Sequence, residues 1–479
     1  NDELFELVSE NEIKYEIQLE DSEAIGNLFK MTPYYYKTGR EESEKLLSLQ
    51  QQSLQDCSRM TVLIGRRRIG KTMLIRHTFT PDDMLYLFVA RKSEAELVNS
   101  FTIQIREKGW YIPDGMTQFS QLFKHLLELG KNQPFTLAID EFQEFDNINP
   151  SVFSDMQNLW DSYKEHTHIN LVVSGSAYRL MQKIFMDKDE PLFNRADAII
   201  RLQPFTIDVL KHILSEYHPQ YSNDDLLALY AITGGVPKYV AWLMDNACVD
   251  QQKMYVEFFS ENSHFIEEGR TLLVSEFGKN YGVYFSILQE IANGSTTQAQ
   301  IETKLGGISV GGYLKQLEQT YTLIRRIRPI LSKPQSKAVQ FVLCDPFLRF
   351  WFRHVEKYRS LVELQNFDGL LQLAQANYTS YSGMVLEDYF RQQMAQTGQW
   401  REIGCWWQAK AIEYHGRQID AEVDIVALSL TGHKALAVEV KRQRSEYDHE
   451  LFMAKVQYLK QKDLHSYTIS TQLLTLEDM

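Results

Sequence analysis

The segment that most constrains this chain is GRRRIGKT at residues 65–72, a loop between an apolar strand and a helix. A chain that holds a triphosphate must offer several backbone N–H groups at once, and the glycines let the loop curl around the anionic oxygens. In this pattern the lysine reaches the β and γ phosphates, and the next hydroxyl ligates Mg²⁺. We therefore predict that the triphosphate is bound by Gly65, Arg66, Arg67, Arg68, Ile69, Gly70, Lys71 and Thr72.

Two acidic residues follow at the end of a third apolar strand, FTLAID at 135–140. Asp140 is placed near Mg²⁺, either as a direct ligand together with Thr72 or in the second coordination sphere. Glu141 is the best candidate to orient or deprotonate the attacking water. A strand at 84–90 lies between the loop and Asp140, which is typical of P-loop ATPases with an inserted strand and not of kinases or GTPases. The sequence thus predicts ATP hydrolysis that uses Mg²⁺.

Two weaker features complete this predicted site. Ser174 and Ser176, in SGS after the fourth strand, are placed to bind the γ-phosphate or its water, although Ser176 is equally suited to cap a helix. Arg195, in PLFNRAD, is either an arginine finger, which would contribute about 10³–10⁵ in rate, or part of a surface salt bridge. A finger acting between subunits would require self-association, and the sequence leaves both alternatives open.

The order of apolar segments predicts the fold class, which is α/β. Continuous apolar strands separated by helices imply a mainly parallel sheet with both faces covered. The pattern is helical from Pro204 to about residue 270, with a Gly-Gly-Val-Pro break at 234–237. Residues 283–345 then read as three helices and two strands, the order of a winged helix-turn-helix. The strands are predicted at 61–65, 84–90, 135–140, 169–175 and 198–202.

The predicted winged helix carries a local positive charge, although the whole chain has a formal net charge of -13. Residues 301–340 contain seven Lys or Arg against two Glu. We expect Tyr313, Lys315 and Gln316 to face outward on its recognition helix. Basic side chains on the wing would contact DNA phosphates. The alternative is that this unit joins domains or binds protein. The wing residues are Arg325, Arg326, Arg328, Lys333 and Lys337.

Several segments together resemble a known family. GRRRIGKT, LAIDEFQEF, VVSGSAYRL, LFNRA and TGGVPKYV look like the archaeal and bacterial AAA-type ATPases of the STAND-related clade. Arg40-Glu41 resembles the Arg-Glu pair that often opens this ATPase domain. In that family the chain often ends in a winged helix and a PD-(D/E)XK nuclease-like domain, which has the restriction-endonuclease-like α/β fold. The resemblance covers about residues 36–479.

The segments IGCWW, AEVDIV and AVEVK, at 403–407, 421–426 and 437–441, are similar to that nuclease core. Mg²⁺-dependent phosphodiester hydrolysis needs two or more carboxylates at adjacent strand ends. Asp424 and Glu439 would ligate the metal, and Lys441, two residues after Glu439, shares its face and would activate water or stabilise the phosphate. Glu387, on the preceding helix, would be a third carboxylate. The alternatives are half-exposed strands without chemistry, or a degenerate domain that only binds DNA.

These observations predict a domain order and a location. The four cysteines lie far apart without a CxxC pair, which indicates reduced thiols in the cytoplasm. No apolar run approaches the roughly 18 residues of a membrane span, and the acidic start is unlike a secretory signal. The predicted units are an acidic extension at 1–35, the P-loop ATPase core at 36–205, a helical lid at 206–275, the winged helix at 276–345, a helical linker at 346–380 and the nuclease-like domain at 381–479.

The function that this arrangement predicts is ATP hydrolysis coupled to DNA binding and Mg²⁺-dependent DNA cleavage. The competing hypothesis is a nucleotide-dependent regulatory switch that senses a protein partner and has a non-cleaving C-terminal domain. DNA-stimulated ATP turnover would separate the two hypotheses.

Overall fold

The computed structural model describes residues 40–278, 281–333, 335–336, 338–408 and 410–479. The predicted acidic extension and Lys337 of the predicted wing lie outside these described residues. Among the helices that are described, none combines the length and apolar character that a membrane crossing requires. Cys57, Cys248, Cys344 and Cys405 are all free thiols.

The first sheet, as far as the chain is described, contains five parallel strands. They are β1 (Arg59–Ile64), β2 (Met84–Phe88), β3 (Phe135–Asp140), β4 (Ile169–Gly175) and β5 (Ala198–Arg201). Their spatial order is β2-β3-β4-β1-β5, and the five predicted strands are confirmed. β3 and β4 are buried along their whole length because apolar clusters cover both faces of the sheet. Along the chain β2 separates the loop from Asp140, but in the sheet β4 is the strand inserted between β1 and β3.

Helices pack on both faces of this sheet, and their starts follow local rules. Ser93 and Glu96 form a reciprocal capping box at the start of the helix SEAEL, which satisfies two backbone N–H groups. The helices of this region are α1 (Arg40–Gln55), α2 (Lys71–Thr78), α3 (Glu94–Glu107), α4 (Phe119–Leu129), α5 (Phe145–Ile148), α6 (Ser151–Tyr163) and α7 (Tyr178–Met186).

A helical region follows the sheet, as predicted. α9 ends at Thr233 and α10 begins at Pro237, so the predicted Gly-Gly-Val-Pro break separates two helices. Proline is favoured at the first helical position because its missing N–H is not needed there. The helices of this lid are α8 (Ile207–Tyr217), α9 (Asn223–Thr233), α10 (Pro237–Asp245), α11 (Gln251–Phe258) and α12 (His264–Phe277).

Next comes the element order that the sequence predicts for a winged helix-turn-helix. β6 and β7 pair as an antiparallel hairpin that follows the helices. The elements are α13 (Tyr281–Ala292), α14 (Gln298–Lys304), α15 (Gly311–Gln319), β6 (Ile324–Ile327) and β7 (Gln340–Leu343).

The segment predicted as a linker is part of the core. The aromatic side chains of α16 (Pro346–His354) are buried. After α17 (Arg359–Glu363), α18 (Phe367–Gln396) runs for 30 residues without interruption. The predicted boundary at residue 381 therefore falls inside one helix, because α18 packs against the lid with one part and against the C-terminal sheet with another.

The C-terminal unit contains a mixed sheet whose spatial order is β13-β12-β11-β8. β11 is antiparallel to both β8 and β12, and β13 returns parallel to β12 after a helix. β9 and β10 form a separate small hairpin that was not predicted. The elements are β8 (Trp400–Trp407), β9 (Ile412–Tyr414), β10 (Arg417–Ile419), β11 (Glu422–Ser429), β12 (Lys434–Lys441), α19 (His449–Lys462) and β13 (Thr468–Thr475).

We call α13, α14 and α15 with the hairpin β6–β7 the three-helix unit. One apolar core extends from the lid through this unit, α16 and α18 to the C-terminal sheet. It includes Leu210 of the lid, Leu314 of α15, Trp351 of α16 and Val438 of β12. Burial of apolar surface at about 25 cal/mol per Å² makes such a shared core the main force that joins these units. The ATPase sheet has its own separate clusters.

Candidate functional site

The phosphate-loop backbone adopts the conformation that anion binding requires. Arg68 and Gly70 have positive φ of 68° and 91°, and Gly70 precedes the first residue of α2. Only glycine adopts this conformation at little cost, which explains Gly70 at the sharpest part of the loop. The start of α2 directs its backbone N–H groups and its positive dipole end into the loop.

Lys71 is buried within this loop and is 6% exposed. Its Nζ donates to the carbonyl oxygen of Gly65 at 2.9 Å and to that of Arg66 at 3.2 Å. Burial is the largest cause of the lowered pKa of Lys71, and the charges of Glu141 and Asp140 partly oppose it. The ammonium group therefore lies at the loop centre, where phosphate oxygens would compete with the two carbonyls.

Asp140 accepts hydrogen bonds from several surrounding groups. Thr72 and Tyr86 donate to Oδ2 at 2.7 and 2.6 Å, and Ser174 donates to Oδ1. Burial alone would raise the pKa of Asp140, but these hydrogen bonds outweigh it and hold that pKa below its ordinary value. The structure therefore brings Thr72 and Asp140, both predicted Mg²⁺ ligands, into direct contact, and their hard oxygen atoms fit that ion.

Glu141 points away from Asp140 because its backbone has a left-handed φ of 53°. Its carboxylate accepts a hydrogen bond from Ser176 at 2.7 Å and another from Gln143, both at Oε2. The two adjacent acids are therefore held by different partners. This geometry fits the separate roles predicted for them, which remain predictions.

The structure locates the weaker predicted residues as follows. Ser174 is buried and donates to Asp140, so its hydroxyl contacts the predicted Mg²⁺ ligand. The alternative role of Ser176 as a helix cap is wrong, because Ala177 precedes α7 and Ser176 donates to Glu141 instead. Arg195 forms the surface salt bridge of its second interpretation, with Asp161 at 3.0 Å. Its role as an arginine finger remains a prediction.

Two arginines of the loop reach beyond the ATPase sheet, whereas Arg67 is exposed. Arg68 binds Glu268 of the lid through two hydrogen bonds, from Nε at 2.5 Å and from Nη2 at 2.9 Å. Arg66 forms an ion pair with Asp345, the residue that caps the start of α16. The loop is thus bonded directly to the lid and to the segment that leads to the C-terminal unit.

The loop has unsatisfied polar groups that suit a triphosphate. The Nε and Nη2 atoms of Arg66 are buried without a hydrogen-bond acceptor among the residues that are described. Buried donors without partners cost free energy, and phosphate oxygens are the acceptors that arginine binds best. Together with Lys71 at the loop centre, these donors fit ATP.

In the C-terminal unit, Glu387, Asp424, Glu439 and Lys441 converge as predicted. Lys441 Nζ lies 2.8 Å from Glu439 Oε1 and 4.0 Å from Asp424 Oδ2. Asp424 also accepts a 2.8 Å hydrogen bond from the backbone N–H of Val440. Glu439 is 5% exposed, and its Oε2 has no hydrogen-bond partner in the described part of the chain.

Burial and neighbouring charges shift the pKa values of two of these carboxyl groups. Burial, then the charge of Asp424, raises the pKa of Glu387 to about 8. Burial, then the charge of Glu439, raises the pKa of Asp424 to about 6. Glu387 is also bonded to Arg391 at 3.1 Å. No group of three or more His, Cys, Asp or Glu side chains in the described ranges is arranged to hold a metal ion.

The predicted DNA-contacting residues have mixed surroundings. Lys315, Gln316 and Lys333 are exposed. Tyr313 is instead half-buried, because its ring packs against that of Tyr284 at 5.3 Å. Part of the wing contacts the chain itself. Arg325 lies 3.7 Å from Asp388, Arg326 forms an ion pair with Glu318, and the backbone N–H of Ile330 donates to the carbonyl of Cys405 in β8.

Several residues at these sites were not predicted from the sequence. Tyr86 reaches Asp140 from β2, and its only sequence signal is a polar-tipped aromatic inside the apolar strand MLYLF. Gln143 follows the acidic pair by two residues, within IDEFQEF. Glu268 and Asp345 lie about 200 and 280 residues from the loop, so no local pattern identifies them. Lys455 of α19 lies 3.8 Å from Glu439 and was also missed.

With the geometry established, comparisons with known proteins define the class. Residues 40–243 match the family model of an ATPase domain predominantly from Archaea. The Walker-type ATPase PABY2304 of Pyrococcus abyssi has a similar structure, with a TM-score of 0.50 and 17% sequence identity. The match covers 66% of this chain and 95% of that one, and at this identity it shows the fold alone. The parallel sheet and the loop are those of a P-loop ATPase, and the family match supports nucleotide hydrolysis.

Further matches reach beyond the ATPase domain. Residues 351–451 match a family model described as archaeal and bacterial proteins of unknown function. A relative from Methanocaldococcus jannaschii, the uncharacterized protein MJECL04, is 25% identical over 417 residues. That alignment covers 84% of this chain and 87% of the relative. The similarity therefore extends over most of the chain, including residues beyond the ATPase domain.

Proposed function

We propose that this protein couples ATP hydrolysis at residues 65–72 and 140–141 to Mg²⁺-dependent DNA cleavage by its C-terminal unit. The observation that carries the proposal is the convergence of Asp424, Glu439 and Lys441 at the end of paired strands. Lys441 Nζ lies within 4.0 Å of both carboxylates, and Glu439 Oε2 is buried without a hydrogen-bond partner among the described residues. Burying such a group is costly, and a bound cation would satisfy it.

Mg²⁺ would be held in the ATPase domain by Thr72 and Asp140, and in the C-terminal unit by Asp424 and Glu439. In each place it would supply positive charge next to phosphate oxygens. Glu141 would orient or deprotonate the water that attacks ATP. Lys441 would position water or stabilise the phosphate that is cleaved.

Contacts that link the two sites support the coupling. Arg66 bonds Asp345 at the start of α16, and Arg349 of α16 bonds Asp388 of α18. Asp388 is adjacent in sequence to Glu387, and Arg391 bonds both acids. A change in the position of Arg66 on nucleotide binding would therefore reach the carboxylate cluster through ion pairs and the rigid helix α16.

ATP turnover and DNA cleavage test this proposal in one assay. Purified protein would be incubated with ATP, Mg²⁺ and plasmid DNA, and phosphate release would be measured while the DNA is followed on a gel. Lys71→Ala should abolish ATP turnover. Glu439→Gln and Lys441→Ala should abolish cleavage but leave basal ATP turnover intact. Lys434→Ala is the matched control, because this exposed lysine lies at the other end of β12.

A second candidate function is a nucleotide-dependent switch that senses a protein partner and does not cleave DNA. The observation that favours it is the hairpin region bonded to the chain itself, with Arg325 near Asp388 and Ile330 bonded to Cys405. Such a three-helix unit would join domains and would not need to bind DNA. ATP turnover that ignores DNA, with the plasmid intact, would favour the switch. Cleavage that survives both Glu439→Gln and Lys441→Ala would assign it to another site or a contaminant.

We also propose a cytoplasmic location, which the four free thiols support because reduced cysteines persist in reducing compartments. We propose self-association only for the case in which Arg195 acts as an arginine finger between subunits. If Arg195 acts between subunits, Arg195→Ala should lower ATP turnover per subunit, and wild-type turnover should rise with protein concentration.

A further inference from the structure

The carboxylate of Glu141 is held on one side only. Ser176 Oγ donates to Oε2 at 2.7 Å, and Gln143 Nε2 donates to the same oxygen. These two donors come from different segments, one following β3 and the other following β4. No hydrogen bond of the described residues is made to Oε1.

The neighbouring Gly175 leaves space for the side chain of Gln143. Gln143 is 2% exposed, and within the described part of the chain its Oε1 is buried without a hydrogen-bond partner. A Cβ at Gly175 would lie 2.4 Å from that Oε1 and 2.4 Å from Met181 Sδ, so only glycine leaves the space. An unpartnered buried amide oxygen is unfavourable, and this one lies on the side chain that donates to Glu141.

The backbone of Glu141 is fixed as well. Its φ of 53° is unusual for a residue with a side chain, and such conformations persist where surrounding bonds enforce them. Its N–H donates to Asp140 Oδ1 at 2.9 Å, and its carbonyl accepts from the N–H of Glu144 at 2.9 Å. The side chain thus leaves the strand end in a direction different from that of Asp140.

We propose that Gln143 and Ser176 are positioning residues that hold Glu141 by Oε2 and leave Oε1 available to the attacking water. This inference rests on the proposed role of Glu141 in ATP hydrolysis. The bonds described for both residues go to Glu141 and not to the phosphate loop. Their loss should therefore lower kcat without changing KM for ATP. A displaced catalytic group costs up to about 10²-fold in rate.

Four variants test this inference by steady-state ATP hydrolysis of the full chain. Gln143→Met keeps the length of the side chain but removes its donor, and Ser176→Ala removes the hydroxyl. Each should lower kcat by about 10- to 100-fold, with KM within about twofold of the wild type. Ser176→Thr retains a hydroxyl and should recover most of the rate. Ser162→Ala is the control, because this hydroxyl bonds the Asn158 carbonyl on the exposed side of α6.

The double variant Gln143→Met/Ser176→Ala adds a test that does not depend on how large the loss of kcat is in either single variant. Because both donors hold the same oxygen, the second loss should cost less than the first, and the effects should not multiply. If Gln143→Met does not fold, the kcat values of Ser176→Ala and Ser176→Thr still test the inference, because Ser176 is half-exposed. Unchanged kcat in Ser176→Ala, or equal loss in Ala and Thr, would overturn the inference. Wild-type turnover that persists in Lys71→Ala would overturn the proposed ATP site instead.

Discussion

Asp388 is the carboxylate whose removal should most clearly weaken the joint between the three-helix unit, α16 and the C-terminal unit. It accepts from Arg349, lies 2.7 Å from Arg391, and lies 3.7 Å from Arg325 of β6. Burial alone would raise the pKa of Asp388, but Arg349 and Arg391 outweigh it and lower that pKa to about 2. These three arginines come from different elements, so one side chain holds all of them together.

The size of the effect follows from these contacts. The difference between an ordinary carboxyl pKa of 3.8 and a value of about 2 corresponds to about 2 kcal/mol of stability. Removing one partner of a buried ion pair typically costs about 3–5 kcal/mol, because the other charge stays buried. Asp388→Asn keeps the volume and one acceptor, so we expect a loss of about 2–4 kcal/mol.

Urea unfolding followed by tryptophan fluorescence measures this loss, since Trp351 is buried in the same core. Asp161→Asn is the matched control, because its pair with Arg195 is at the surface and should contribute about 0–1 kcal/mol. The folded pKa of Asp388 is the lower one, so its stabilisation is complete above about pH 4 and is lost as pH falls from about 4 to about 2. The reasoning is refuted if Asp388→Asn and Asp161→Asn lower stability equally at pH 7.

Three further changes have distinct expected outcomes. Burial, and then nearby cations, lower the pKa of His354 to about 3. The free energy of unfolding of the wild type should therefore fall by up to about 1.4 kcal/mol per pH unit below about pH 6.5. His354→Phe should flatten this fall, as measured by urea unfolding at pH 7 and pH 5. Arg68→Ala removes the bidentate partner of buried Glu268 and should lower the free energy of unfolding by about 1–3 kcal/mol. If the losses of Arg68→Ala and Glu268→Gln add strictly in the double variant, the pair is not coupled. Thr72→Val keeps the side-chain shape without the hydroxyl, and should raise the Mg²⁺ concentration for half-maximal ATP hydrolysis by about tenfold or more; an unchanged Mg²⁺ curve would remove Thr72 from the predicted ligands.

The sequence predicted those parts of the site that lie within short segments. The loop 65–72 is contiguous, and its function follows from backbone geometry and one lysine, so a local pattern identifies it. Asp140 could be predicted because parallel strands end at one edge of a sheet, which brings β3 near the loop after β1. Glu439 and Lys441 could be placed on one face because side chains alternate along a strand.

Some expectations differ from the structure where two arrangements compete for the same residue. Serine is a common helix cap, but the hydroxyl of Ser176 donates instead to the nearby carboxylate of Glu141. The predicted boundary at 381 lies inside α18, because a single helix can contact two units and its pattern has no break where its packing partner changes. Tyr313 was expected to face outward, but it packs against Tyr284, which lies nearly 30 residues earlier.

By itself the sequence determined the phosphate loop, the order of strands and helices, and the acidic residues at the strand ends. These depend on backbone preferences and on periodicity, which act over a few residues. Only the tertiary structure decided which distant groups contact the charged residues: Glu268 and Asp345 on the loop arginines, Arg325 and Arg349 on Asp388, and Ser176 on Glu141. Such pairings depend on burial and on the packing of segments up to about 280 residues apart, where charge and hydrogen-bonding partners are chosen by space and not by sequence spacing.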